Sequence, residues 1–232
     1  DTVLDMLAAG QDVLYFSELQ VNPADSLVEE RNNEWFELVN ATGNTLYLDN
    51  WVFKMIDNTC ISTPTLCDEF VVFPGSNVEV EAGQAVLFCR VDSEINTALF
   101  GGGSSEACDY KYGSRPVGAP SGDEGDKYFD EGYRLYNTVL SALEVALRIG
   151  AVEHQVDYVD HMVSADWPSP VNELESGTWI ENEGRSLMFD GDLIGDAGVT
   201  DDNDEGGNWC HSRVESLIFD EDAAGTDEHN YG

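Results

Sequence analysis

Glu34 to Trp51, EWFELVNATGNTLYLDNW, is the stretch on which the fold is read. EWFELVN (34–40) has the composition of a strand, ATGN (41–44) supplies a turn, and TLYLDNWVFKMI (45–56) continues as the next strand. Upstream, DVLYFSEL (12–19) alternates well enough for an earlier strand, joined through the polar loop NPADSLVEERNN. Downstream, EFVVFP (69–74), NVEVEAG (77–83) and QAVLFCR (84–90) add three short strands punctuated by Pro-Gly and Ala-Gly. These strand lengths and turn spacings predict a β-sandwich.

Residues 91–133, rich in Gly, Ser and Asp and almost without periodicity, read as a long loop insertion within one domain. Sandwich patterning resumes at YRLYNT and ALEVALRIG (142–150). In VEHQVDYV, simple alternation places Val152, His154, Val156 and Tyr158 on one face and Gln155 and Asp157 on the other. RSLMF (185–189) is a further strand, followed by an acidic loop. The expected architecture is all-β: an immunoglobulin-like sandwich over residues 12–232 with the insertion at about 91–133, preceded by a short N-terminal segment, 1–11.

Charge restricts the partners. Ten Lys and Arg against 46 Asp and Glu leave a formal charge of −36 with no basic patch. Such a surface repels phosphate backbones and anionic headgroups, so nucleic acid and membrane insertion are not expected. Cations, cationic partners and saline surroundings suit it. The chain opens at Asp1 without a Met or a basic, apolar leader, as a mature or excised protein would.

Five cysteines carry no C-x-x-C spacing and no accompanying His cluster, so zinc is not expected. Cys60 and Cys67 bracket a turn containing Pro64, while Cys89 ends a strand and Cys108 lies in the Gly/Ser loop after it. The preferred pairing is Cys60–Cys67 and Cys89–Cys108, implying an oxidising compartment. Cys210 is then a buried thiol, an intermolecular bridge, or a sign that the pairing is different.

Several of these segments resemble the lamin tail domain family, in order along the chain. SEL (17–19) and EWFELVNATGNTLYLDNW (34–51) resemble its opening strands, and FPGSNVEVEAGQAVLF its Pro-Gly turn and strand pair. VDYVDHMVSADWP, GRSL (184–187) and NWC (208–210) resemble its later signatures. The resemblance spans roughly 12–90 and 142–212. It implies an immunoglobulin-like sandwich in a secreted or surface protein, used for binding and without catalytic residues. It also implies core positions for Trp35, Trp51, Trp167 and Trp209. The insertion and the extreme acidity depart from the family pattern, and nothing here transfers the filament or chromatin roles of nuclear lamins.

The richest chemical candidate is DGDLIGDAGVTDDNDEGGN (190–208). Asp190, Asp192, Asp196, Asp201, Asn203 and Asp204 put many hard oxygens on a Gly-rich loop, as Ca²⁺ coordination requires. The EF-hand spacing fails, because Ser212 falls where the bidentate Glu belongs. A solvated acidic loop is the plain alternative. Asp123, Glu124, Asp126, Asp130 and Glu131 form a weaker cluster. Trp179, outside the family motifs, is the candidate for stacking on a glycan. Asn40-Ala41-Thr42 is a glycosylation sequon, although Asn40 at a strand end equally suits a structural hydrogen bond.

Catalysis finds little footing. H-E-x-x-H, G-x-S-x-G and a Lys-bearing phosphate loop are all missing from the sequence. Among 46 acids, close carboxylate pairs arise by chance. The leading expectation is a non-enzymatic extracellular or cell-surface protein, structural or adhesive, that associates with copies of itself as a filament subunit would. Val3, Leu4, Met6 and Leu7 are expected to form an apolar strand donated to a neighbour, the other reading being that they pack on their own domain. A Ca²⁺-assisted carbohydrate-binding module is the alternative, and a carboxylate-dependent hydrolase the third.

Overall fold

The computed structural model describes residues 2–21, 34–57, 60, 62, 67–90, 108–113, 133, 135, 141–160, 167–168, 173–175, 178–180, 186–189 and 206–211. In chain order their elements are α1 (Val3–Ala8), β1 (Leu14–Gln20), β2 (Trp35–Asn40), β3 (Leu46–Tyr47), β4 (Trp51–Ile56), β5 (Asp68–Val71), β6 (Glu79–Val80) and β7 (Ala85–Arg90). Then follow β8 (Tyr110–Tyr112), β9 (Ala142–Ile149), β10 (Val152–Val159), β11 (Glu173–Glu175), β12 (Thr178–Ile180), β13 (Leu187–Phe189) and β14 (Trp209–His211). A six-stranded sheet runs β14-β13-β1-β2-β7-β8, and a four-stranded sheet runs β10-β9-β4-β5. Two small pairs, β3–β6 and β11–β12, complete the described strands. The fold is an all-β sandwich.

Alternation explains the layers. Phe36 and Leu38 of β2 are fully buried while Trp35, Glu37 and Val39 between them are half-buried. Phe36 is the centre of the core: its ring lies 5.6 Å from Phe16, 5.0 Å from Phe88 and 5.8 Å from Tyr112 in its own sheet. Across the sandwich it meets Phe53 at 5.3 Å and Phe70 at 6.5 Å. Rings at these separations add pairwise stabilisation to the area they bury.

Two facing irregularities join the sheets. β1 carries a β-bulge between Phe16 and Glu18, and β10 carries one between Gln155 and Asp157. A bulge releases a backbone amide from its ladder and re-aims side chains. Here the Phe16 amide donates to the buried Asp157 carboxylate across the sandwich at 2.8 Å. This corrects the simple alternation expected of β10: the bulge resets its parity, so neighbouring Val156 and Asp157 are both buried and Val152 is exposed.

Three further expectations change. Residues 45–56 are two strands, because the Trp51 amide bonds back to the Leu48 carbonyl at 3.0 Å and Asn50 adopts φ 68°. That is a turn with its third residue in the left-handed region, which Asn tolerates. The insertion at 91–133 contains a strand. β8 pairs in parallel with β7 at the sheet edge and sends Tyr110 and Tyr112 into the core. Thirdly, Val3–Ala8 is a helix. Thr2 and Asp5 form a capping box, the Asp5 amide bonding Thr2 Oγ1 at 3.3 Å and the Thr2 amide bonding Asp5 Oδ2 at 3.1 Å. Met6 is buried in the same core, with Val3 and Leu7 packed against it.

Both disulfides have the expected partners, Cys60–Cys67 and Cys89–Cys108, with Cα separations of 4.6 and 5.8 Å. Cys210 lies outside both and is exposed on β14, not buried. Cys89–Cys108 ties β7 to the residue two before β8 across a separation of 19 residues. Cross-linking a loop of that length limits the unfolded chain by about 3 kcal/mol. Replacing both cysteines with alanine is therefore expected to lower the unfolding free energy by about that amount in denaturant titration.

Candidate functional site

Most of the residues singled out for ligand chemistry lie outside the described set. That holds for Asp190, Asp192, Asp196, Asp201, Asn203 and Asp204, and for the weaker cluster at 123–131. Trp179 has its backbone in the hairpin strand β12, but its side chain is outside the described set. Among the described residues no three His, Cys, Asp or Glu side chains come together as metal ligands would.

Asn40 is described fully, and the structural role prevails over the glycan. Its side chain is completely buried. Nδ2 donates to the carbonyls of Asn44 and Val80 at 2.8 Å and of Glu81 at 3.1 Å. Oδ1 accepts from the Thr42 amide and hydroxyl, both at 2.8 Å. A glycan on Nδ2 would have to displace these bonds and fill closed space, so the folded domain excludes it. The N-terminal strand reading is corrected likewise, since Met6 is committed to its own core with Val3 and Leu7 packed on it, and Leu4 belongs to the same helix.

Trp51, Trp167 and Trp209 are core residues as the resemblance implied, Trp167 and Trp209 lying 5.3 Å apart. Trp35 is not. It stands half-buried on the outer face of the larger sheet, in register with Gln20 and Cys89.

The outer faces of the two sheets are built on different electrostatics. On the smaller sheet, two cations knit three acids across four strands. Lys54 of β4 reaches Glu144 of β9 at 3.1 Å and also Glu153 of β10. Arg148 of β9 reaches Glu69 of β5 at 2.9 Å and the same Glu153. Burial alone would pull the Lys54 ammonium down, but its bonds to Glu153 and Glu144 outweigh that and raise it. Burial likewise pushes Glu153 up, and the two cations reverse this and hold it low. These side chains are 16% to 34% exposed, so the loss of water offsets much of the attraction, and this face is a brace against repulsion more than a source of stability.

The larger sheet presents acids without that brace. Register aligns Cys210 of β14, Met188 of β13, Glu18 of β1, Glu37 of β2 and Leu87 of β7 in one row across its outer face. Glu18 and Glu37 are therefore direct cross-strand partners, an arrangement that repels when both are charged. The Ser17 hydroxyl donates to Glu37 at 2.6 Å, and the Ser186 hydroxyl donates to Glu18. Burial pushes the Glu18 carboxyl up to about 7 despite the Ser186 bond, with the Glu37 charge adding to the rise. Burial raises Glu37 as well, against its Ser17 bond, and Asp109 adds. Tyr15, beside this pair, is pushed up to about 12 by burial and then by Glu37, Asp12 and Asp157.

Perturbed carboxylates in pairs are a mark of functional sites in general. This one went unnoticed in the sequence because Ser17-Glu18-Leu19 and Glu37-Leu38 read only as strand motifs. Facing one another depends on a register set across a connection of fourteen residues, 21–34.

No family model matches this chain, and no curated protein does. Among solved structures it is similar to the crystal structure of a DUF4876 family protein from Bacteroides thetaiotaomicron VPI-5482. The TM-score is 0.51 at 11% identity, over 94% of this chain and 75% of that one. At that identity the likeness concerns architecture alone.

Proposed function

We propose that this chain is a non-enzymatic extracellular module, structural or adhesive, that associates with copies of itself. The observation that carries the reading is the open edge of the smaller sheet. β10, eight residues long, is its outermost strand, and no described strand pairs with it beyond β9. The β9–β10 hairpin tip exposes Ile149 and Val152, at 47% and 56%. Soluble proteins blunt such edges with charge and bulges, and β10 carries Glu153 and a bulge at Gln155–Asp157. The apolar tip beyond them is therefore the part of the edge that suits pairing with another copy. The carboxylates that burial perturbs have structural partners within the domain, which favours a binding or building role over a catalytic one. Two disulfides agree with oxidising surroundings outside the cytoplasm. The lamin-tail resemblance is part of this reading: SEL lies on β1, WFELVN on β2, Trp51 starts β4 and Trp209 starts β14.

At −36, two copies repel one another at low ionic strength. Screening shortens that repulsion from about 10 Å at 0.1 M salt to about 3 Å at 1 M, so association should strengthen with salt. Sedimentation velocity and negative-stain microscopy of the protein in about 1 M salt are expected to give assemblies. Ile149→Lys with Val152→Lys is expected to disperse them without altering thermal unfolding. A monomer at every salt and protein concentration would sink the self-association reading, and a glycan screen with and without Ca²⁺ would then be the next test.

A further inference from the structure

We propose that the Glu18–Glu37 pair is a pH-sensitive latch on the β13–β14 edge of the larger sheet. The edge is closed when the pair holds a proton and loosened when both carboxylates are charged. It is independent of the self-association reading.

The geometry makes this edge the part that yields. β1 and β2 are interior strands, each paired on both sides, whereas β13 and β14 are three residues each and end the sheet. Among the described residues, β13 joins β1 through two residue pairs, Glu18 with Met188 and Leu19 with Leu187. The Ser186 hydroxyl, next to β13, adds a side-chain tie to Glu18 itself. Protonated, Glu18 keeps that tie on its carbonyl oxygen and places no charge against Glu37. Once the proton passes to solvent, two partly buried anions stand opposite each other, and both are better solvated if water enters. Entry is easiest where the fewest backbone bonds break, between β1 and β13.

Among the described residues, the groups facing the pair supply no compensating charge. Glu37 comes from β2, with Asp109 beyond it; Met188 and Cys210 complete the row from β13 and β14, and Leu87 from β7. Tyr15, Asp12 and Asp157 are also near Glu37 or Tyr15, and none of these is a cation. His211 is in register with Leu187, on the neighbouring row. In the row Gln20, Trp35, Cys89 and Lys111, the lysine sits at the far end, three strands from β1.

The sign follows from linkage. A carboxyl raised from 4.5 when free to about 7 in the closed edge binds its proton more tightly there. Closure is therefore fully supported below the free value and loses that support as pH rises through about 7. Opening is expected to be on the order of 100-fold more frequent at about pH 8 than at about pH 5.

Hydrogen exchange of the full chain, with times corrected for intrinsic rates, tests this. In the native protein, peptides spanning 186–189 and 206–211 should lose protection between about pH 5 and pH 8 while β2 and β9 keep theirs. Glu18→Gln, which keeps an acceptor for Ser186, should hold the edge closed at both pH values. Glu37→Gln removes only the repulsive part of the rise and leaves the burial of Glu18, so it should weaken the pH dependence without abolishing it. Equal protection of the native edge at both pH values, or a Glu18→Gln variant that opens as the native protein does, would overturn the latch.

Discussion

Asn40→Asp is expected to leave little or no folded protein at neutral pH. The native amide uses both its ends: Nδ2 serves three carbonyls and Oδ1 serves the Thr42 amide and hydroxyl. Its backbone is equally committed, the amide to Gln84 and the carbonyl to Gly83, both at 3.0 Å. Asn40 thus fastens the end of β2 to the β6–β7 turn and to its own ATGN turn. Aspartate is the same size but removes the donors. It would set a buried anion against the carbonyls of Asn44, Val80 and Glu81, without the cation that a buried charge requires. A loss of about 4 kcal/mol or more is expected, comparable to the whole stability of many domains. Asn40→Ala, which strands the same groups without adding charge, should cost about 3 kcal/mol. Thr42→Val, which keeps the amide bond and removes one hydroxyl, should cost about 1 kcal/mol. Denaturant unfolding monitored by circular dichroism measures all three. A charge variant within about 1 kcal/mol of the native protein would contradict the account. Intact mass of protein from a glycosylating host should show Asn40 unmodified in the folded fraction.

Phe36→Ala is expected to cost about 4 kcal/mol. Five rings from both sheets surround Phe36, and three of them, Phe16, Phe53 and Phe88, stand on strands paired on both sides. The cost of such a cavity rises with how little its walls relax, and a rigid aromatic wall relaxes poorly. Phe36→Leu, filling most of the volume without the ring contacts, should cost about 1.5 kcal/mol. The ordering of the two variants is the test: an alanine variant as stable as the leucine one would mean that the core collapses around the gap.

Position by position, much of the sandwich was readable. EWFELVN announces a strand through its aromatic and aliphatic residues, and in β2, which spans Trp35–Asn40, buried Phe36 and Leu38 alternate with half-buried Trp35, Glu37 and Val39. The preferred disulfide pairing agrees with the structure, although spacing alone leaves other pairings of five cysteines open. Structure and sequence pattern part where a local signal is weak or overruled. The T-x-x-D capping box of Thr2 and Asp5 was there to be read, but a six-residue helix has little periodicity to announce it. Asp157 was placed on the wrong face because one extra residue in a bulge shifts every later side chain by half a period. β8 was lost in a Gly-rich stretch, its three residues being a strand only because β7 lies alongside.

By itself the sequence determined the class of fold, most strand positions and the anionic surface, while the disulfide pairing it favoured was fixed by the structure. The first three depend on composition or on neighbours within a few residues, where alternation and turn chemistry act directly. Only the tertiary structure decided that Asn40 is an anchor, that Trp35 faces outward, and that Glu18 stands opposite Glu37 with Ser186 beside it. Those facts depend on register between strands far apart in the chain, and on how much water is excluded once the sheets close. Neither quantity exists in an extended chain: the carboxyl of Glu18 becomes unusual only when folding removes its water and brings a second carboxyl across from it.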